Sequence, residues 1–228
     1  MNTGLEFGVL QSPPGRRAIL HDLVLGFGRE EAHVLEIGSY EGGSAVHWSE
    51  AIAKHCPKGG SVLCVDPWLP YLGGEAGEGG IGTRMDLDLA SGAVFERFKA
   101  NAKMASPKAP IHWLVGTLAH ALPNLPREFF DIVYIDGAHN YAAVQEDLEL
   151  GSRLLHPWGL LCGDDLEAQA PDCTPESLTQ DVEYNGGFHP GVTRAVWEFF
   201  KRRIWSMDGV WACYRVNGSW TDFPGGTI

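Results

Sequence analysis

Four residues in the second half of the chain have the types and spacing for proton or metal chemistry. The run YIDGAHNY carries Asp136 and His139, and the run GLLCGDD ends in Asp164 and Asp165. Each set follows a short apolar run, at the place where a strand would stop. Adjacent carboxylates facing one crevice repel one another unless a cation or a proton sits between them. Three of them, Asp136, Asp164 and Asp165, suit a hard cation of the magnesium or calcium type with all-oxygen ligands. A neutral imidazole, with an unperturbed pKa of about 6.5, is suited to take a proton near neutral pH. Each residue alone has a plain alternative, since an Asp pair can cap a loop and a lone His is more often structural. Their order at successive strand ends is the signal.

A second group lies nearer the N-terminus, in LEIGSYEGGS. Gly38, Gly42 and Gly43 allow the backbone to come close to a ligand, and the helix that follows offers free amides to an anion. Position 40 is Tyr, so the dinucleotide pattern Gly-x-Gly-x-x-Gly is not met. Glu36, two residues before Gly38, would repel a pyrophosphate and suits a ligand carrying positive charge. Asp66 ends the run SVLCV, 28 residues after Gly38. An acid there takes the two hydroxyls of a ribose; its plain alternative is a loop cap.

These residues need elements to hold them, and the chain supplies strands alternating with helices. Pro13 and Pro14 open a predicted helix over about 14–28 that stops near Gly26 or Gly28. Predicted strands are HVLEI (33–37), SVLCV (61–65), IHWLV (111–115), DIVYI (131–135) and GLLCG (159–163). Predicted helices cover 44–56, 93–104, 141–155 and 191–203. The tail IWSMDGVWACYRV reads as two strands around an Asp208-Gly209 turn. Stretches at about 67–90 and 166–190 read as loops or lids. The expectation is one α/β domain over 1–228, with a doubly wound, mostly parallel, seven-stranded sheet and an antiparallel C-terminal hairpin. Ligands in such sheets bind beyond the C-terminal strand ends, where the singled-out residues lie.

Composition narrows the classes. With 29 acidic against 17 basic side chains the net charge is −12, which argues against a nucleic-acid or anionic-membrane footprint. Apolar residues at 44% exclude a disordered chain. Five widely spaced cysteines with no Cys-x-x-Cys pair fit neither a zinc ribbon nor a stapled secreted scaffold. Neither a signal peptide nor an apolar run of about 18 residues is present, so the expected location is the cytoplasm.

The motifs together resemble the class I S-adenosylmethionine-dependent methyltransferases. VLEIGSYEGGSA resembles the glycine-rich first motif of catechol-type O-methyltransferases. VDPW, the long segment from FDIVYIDGAHNY to CGDD, and HPGVTRAVWEFF resemble a bacterial branch that tailors sugars and natural products. The likeness spans about 33–216. It implies a Rossmann-like methyltransferase fold in which Glu36, Gly38, Ser39, Tyr40, Gly42 and Ser44 line the methionine end of the cofactor. It further implies that Asp66 holds the ribose, with Trp68 nearby, and that Gly116 and Thr117 border the adenine. Asp136, Asp164 and Asp165 fall where the catechol-type enzymes bind a divalent metal, Mg²⁺ or a similar ion, and Asp136 also adjoins the cofactor. Those enzymes have Asp-Asn at the last pair, so this chain carries one more negative charge there. His139 falls where they place a catalytic Lys.

The implied reaction is methyl transfer to a hydroxyl of a small molecule, with a vicinal diol on a sugar or a catechol as the natural acceptor. Asp136 and His139 are the implied catalytic residues. Tyr71, Tyr184 and His189 are available to contact a ring, and related enzymes often form homo-oligomers. Nucleic acid and membrane are not expected partners. A nicotinamide oxidoreductase would want the dinucleotide glycines. A metal-dependent hydrolase would leave the glycine turn and Asp66 unexplained. A non-catalytic S-adenosylmethionine-binding protein would have little need of the acids.

Overall fold

The computed structural model describes residues 15–71, 81–180, 182–184 and 186–223. Its strands are apolar runs stopped by residues that cannot extend them. In chain order the elements are α1 (Arg16–Phe27), β1 (Glu31–Ile37), α2 (Gly43–His55), β2 (Gly59–Asp66), α3 (Ile81–Ala90), α4 (Ala93–Ala102) and β3 (Ile111–Val115). There follow α5 (Leu118–Ala121), β4 (Phe130–Ile135), α6 (Tyr141–Leu154), β5 (Leu155–Gly163), α7 (Pro175–Leu178) and α8 (Pro190–Phe200). The chain closes with β6 (Trp205–Met207), β7 (Val210–Val216) and β8 (Ser219–Asp222).

One sheet has the order β3-β2-β1-β4-β5-β7-β6, with β8 paired to β7. The first five strands run parallel, and β7 is antiparallel to β5, β6 and β8. Side chains alternate between the two faces, as the strand period requires. Ile132 and Tyr134 point into a core with Leu20, Leu23, Trp48 and Ile52 of α1 and α2. Val133 and Ile135 point into another with Val144, Leu148 and Val196 of α6 and α8. Burial on both faces is why these runs are almost wholly apolar. Cys64 and Cys162 are buried core residues, as their apolar surroundings suggest. Among the described residues no helix is long and apolar enough to cross a membrane.

Three features differ from the sequence expectation. Within the stretch 67–90, residues Ile81–Ala90 form α3, where the Gly- and Asp-rich composition masked a helix anchored mainly by buried Leu89. The expected loop 166–190 contains a 3₁₀ turn at Ala170–Asp172 and the short α7, whose Thr174 side chain accepts from the Ser177 amide. The sheet gains an eighth strand, β8, too short and polar to announce itself. Pro13, Pro14 and the glycines at 73–80 lie outside the described residues.

The chain winds outward from β1 to β3 and then returns to place β4 beside β1. That reversal opens a crevice above the C-terminal ends of β1 and β4.

Candidate active site

The cleft begins where β1 ends. Gly38 turns with φ 80°, and a Cβ there would collide with the Asp136 carbonyl and the Gly137 Cα. Only glycine lets the ends of β1 and β4 approach so closely. Tyr40, at φ 44°, is also in the left-handed region, which costs a non-glycine residue energy that its surroundings must supply.

Asp66 supplies much of it. Its Oδ2 accepts the amides of Ser39 at 2.8 Å and Tyr40 at 3.0 Å, and its Oδ1 accepts that of Trp68 at 2.6 Å. Burial raises the Asp66 carboxyl above its ordinary value, and these amides oppose the rise. The Trp68 indole donates to the Tyr40 carbonyl at 2.8 Å. Its ring lies 4.6 Å from both Phe95 and Phe98, so Trp68 clamps the turn from the core side. Glu36 lies beneath the same turn, fully buried, with Ser44 Oγ donating to its Oε1 at 2.8 Å. Burial pushes its carboxyl up to about 8, so it holds a proton at neutral pH. Its Oε2 has no partner.

From this turn a cleft of about 380 Å³ reaches the end of β4. Its walls carry Gly38, Ser39, Tyr40 and Ser44 from the β1–α2 turn, Asp66 after β2, Gly116 and Thr117 after β3, and Asp136 and His139 after β4. Glu36, Gly42 and Trp68 are not on its wall and support the turn from behind. Asp164 and Asp165 are off the wall too, but flank Asp136. One oxygen from each of these three carboxylates lies within 4.8 Å of the others.

The charges at this end are strongly coupled. Burial, then Asp164 and Asp165, push the Asp136 carboxyl well above its usual range. Burial and Asp165 push Asp164 up to about 7. Asp165 goes the other way: burial raises it, but the two histidines beside it and Arg16 outweigh burial and hold it below its ordinary value. Arg16, in the first turn of α1, is the internal counter-ion. Its guanidinium is in direct contact with the Asp164 carboxylate, 3.6 Å from Asp136 Oδ2, and donates to the Tyr134 hydroxyl at 3.2 Å. Despite the burial that lowers it, the surrounding acids and Tyr134 raise its pKa further.

The donor set fits a hard divalent cation. All ligands are carboxylate oxygens, and among the described residues Asp164 Oδ1 is buried without a hydrogen-bond partner. One arginine leaves these carboxylates incompletely neutralised, and an ion would share the space with its guanidinium.

His139 follows at the start of α6. Its Nε2 is 2.9 Å from Asp165 Oδ2 and its Nδ1 is 2.6 Å from Glu183 Oε1. Burial lowers its pKa, but the two carboxylates overcome this and raise it well above the ordinary value.

Sequence reasoning missed Arg16, Glu167 and Glu183. A basic pair at a helix start opposes the helix dipole, and Arg16-Arg17 at the head of α1 is therefore a signal that could have marked Arg16. Glu167 and Glu183 sit in the punctuated stretch 166–190, where no period distinguishes one acid from another.

Comparison with known proteins places this geometry. Residues 35–166 match the family model described as a methyltransferase domain. The O-methyltransferase ankF of Aspergillus thermomutatus is 28% identical over 162 residues, covering 69% of this chain and 57% of the relative. The chain thus spans less than two thirds of that relative's length. Among solved structures, the O-methyltransferase NovP matches with a TM-score of 0.56 at 16% identity, over 89% of this chain and 78% of that one. The O-methyltransferase TomG from Streptomyces achromogenes, in complex with S-adenosylmethionine, matches with a TM-score of 0.50 at 19% identity, over 94% and 83%. At such identities the structural likeness is one of fold.

Proposed function

Since the chain belongs to the methyltransferase domain family, we propose that it moves a methyl group from S-adenosylmethionine to a hydroxyl of a small molecule, with a divalent cation at the acid end. The observation that carries this reading is a cleft that joins the glycine turn to Asp136, with Asp164 and Asp165 flanking that residue. The involvement of TomG in tomaymycin synthesis supports a natural-product acceptor, and adjacent carboxylates on a cation favour an acceptor with two neighbouring oxygens.

In this reading the first-turn amides of α2, beside Ser44, would take the cofactor's carboxylate, Asp66 would meet its ribose, and Gly116 and Thr117 would border its adenine. The methyl sulfonium is then at the Asp136 end of the cleft. Methyl transfer is an in-line displacement, so these residues act by holding donor and acceptor in line. Asp136, Asp164 and Asp165 would hold Mg²⁺, which when bound supplies positive charge that acidifies a neighbouring hydroxyl. His139, beside Asp165, would accept the proton of the acceptor hydroxyl. Tyr71, which lines the cleft, would contact the acceptor.

Calorimetric titration with S-adenosylhomocysteine and with NAD tests the cofactor. Binding of the first and not the second is expected, and the reverse overturns the reading. Mass spectrometry with methyl-labelled S-adenosylmethionine and a panel of diol, sugar and phenol acceptors tests the transfer. EDTA should abolish turnover and Mg²⁺ restore it. Full turnover in EDTA would remove the cation and leave the transferase.

A further inference from the structure

Two imidazoles converge on one carboxylate, that of Asp165. His139 Nε2 is 2.9 Å from Asp165 Oδ2, and His189 Nδ1 is 3.7 Å from Asp165 Oδ1. The two rings are 4.6 Å apart, centroid to centroid. One ligand atom from each of His139, Asp165 and His189 falls within 4.8 Å of the others. We propose that these three residues form a second cation site, of imidazole–carboxylate type, that takes Zn²⁺ in preference to Mg²⁺.

The donor chemistry separates this site from the acid triad. Three carboxylates offer only hard oxygen and suit Mg²⁺, whereas two imidazoles and one carboxylate suit Zn²⁺ and its transition-metal neighbours. The surroundings are those of a metal-ligating histidine. Glu183 Oε1 stands 2.6 Å from His139 Nδ1, the nitrogen opposite the one aimed at Asp165. A carboxylate this close to the far nitrogen favours the tautomer that leaves the near nitrogen available to an ion. Glu167 Oε1 is hydrogen-bonded to His189 Nδ1 at 3.0 Å, and an ion there would take the place of the shared proton. The backbone holds the ligands together: Gly191, in the first turn of α8, packs so closely on the His139 carbonyl and the Tyr141 amide that any Cβ would clash. Three acids around two imidazoles also leave negative charge that a divalent ion neutralises.

Asp165 belongs to both groups, so the two sites are linked. Zn²⁺ at the second would occupy the His139 nitrogen that the proposed transfer uses as a base, and would therefore inhibit methyl transfer. That consequence rests on the transferase reading; the binding itself does not.

The test uses the full chain with Mg²⁺ in excess to fill the acid triad. Zn²⁺ is added by calorimetric titration, and the bound ion is read by X-ray absorption fine structure. One Zn²⁺ per chain with two imidazole ligands is expected. His189→Ala should weaken Zn²⁺ at least about tenfold, the scale of losing metal-site partners, while Mg²⁺ and S-adenosylhomocysteine bind as before. His189→Gln, which keeps the size of the side chain, should do the same. Absence of Zn²⁺ binding above Mg²⁺, or an all-oxygen Zn²⁺ shell, overturns the proposal. So does imidazole-ligated Zn²⁺ whose affinity is unchanged in both His189 variants, because the ion then sits at other histidines such as the His21–His55 pair. Failure to bind S-adenosylhomocysteine would overturn the transferase reading without touching this one.

Discussion

The two ends of the cleft are built on different principles. At the glycine turn, order comes from backbone amides on Asp66, an indole on a carbonyl, and aromatic packing. Little there depends on outside charge. At the acid end, order comes from carboxylates balanced against Arg16 and His139. The first is preformed, and the second is poised to change when charge is added. This contrast matches the division of labour in the proposed transfer: a cofactor end that should not move, and an acceptor end that must exchange a proton.

Several measurements would break or sharpen that contrast. The largest effect is expected at the acid end. His139→Ala should lower turnover by about 10²–10⁴-fold, the usual worth of a general base, while S-adenosylhomocysteine binding stays nearly intact. Equal loss of both would make His139 structural. Next comes the turn. Asp66→Ala strands three amides and loses a buried acceptor, so thermal denaturation should show a loss of about 3 kcal/mol or more, together with weaker S-adenosylhomocysteine binding. A variant that keeps both would show that the turn holds itself.

Arg16→Met should cost about 3 kcal/mol in the absence of divalent cation, because it leaves buried acids unpaired. Mg²⁺ should return more stability to this variant than to the parent, since binding stabilises the folded state by mass action. Equal Mg²⁺ shifts in melting temperature would mean that Arg16 and the ion do not share one site.

The smallest effect concerns Glu36 and runs with pH. Its folded carboxyl titrates near 8 against an ordinary value of 4.5. The folded state therefore binds the proton more tightly, and stability falls as pH rises from about 4.5 to about 8. Glu36→Gln removes that fall. The variant should gain steadily on the parent between pH 5 and pH 8, as read by urea denaturation. A constant difference across that range would mean that Glu36 is ionised in the fold.

Much of this architecture was legible in the residues. Runs such as DIVYI and GLLCG are buried on both faces and leave an unbroken apolar signature, and their stops at Gly or Asp mark the strand ends. The acids at those ends could be placed from the sheet alone. The long-range charge balance could not. Arg16 lies 120 residues from Asp136 and 148 from Asp164 in the chain, and only the packing of α1 on α2 brings it across. Nor could the partners of His139, since Glu183 reaches it from a stretch with no period. Helix α3 escaped because Leu89 is buried while Leu87 is exposed, which leaves no repeating face to detect. For Trp68, a residue expected beside the cofactor proves to brace the turn from the core.

The bare backbone at Gly38 has a geometric consequence. With no Cβ between them, the end of β1 rests directly on the Asp136 peptide, so the walls at the donor and acceptor ends are neighbouring main chains in one sheet. The line along which the methyl group would travel is thus ruled by strand spacing, a dimension that thermal motion of side chains cannot stretch.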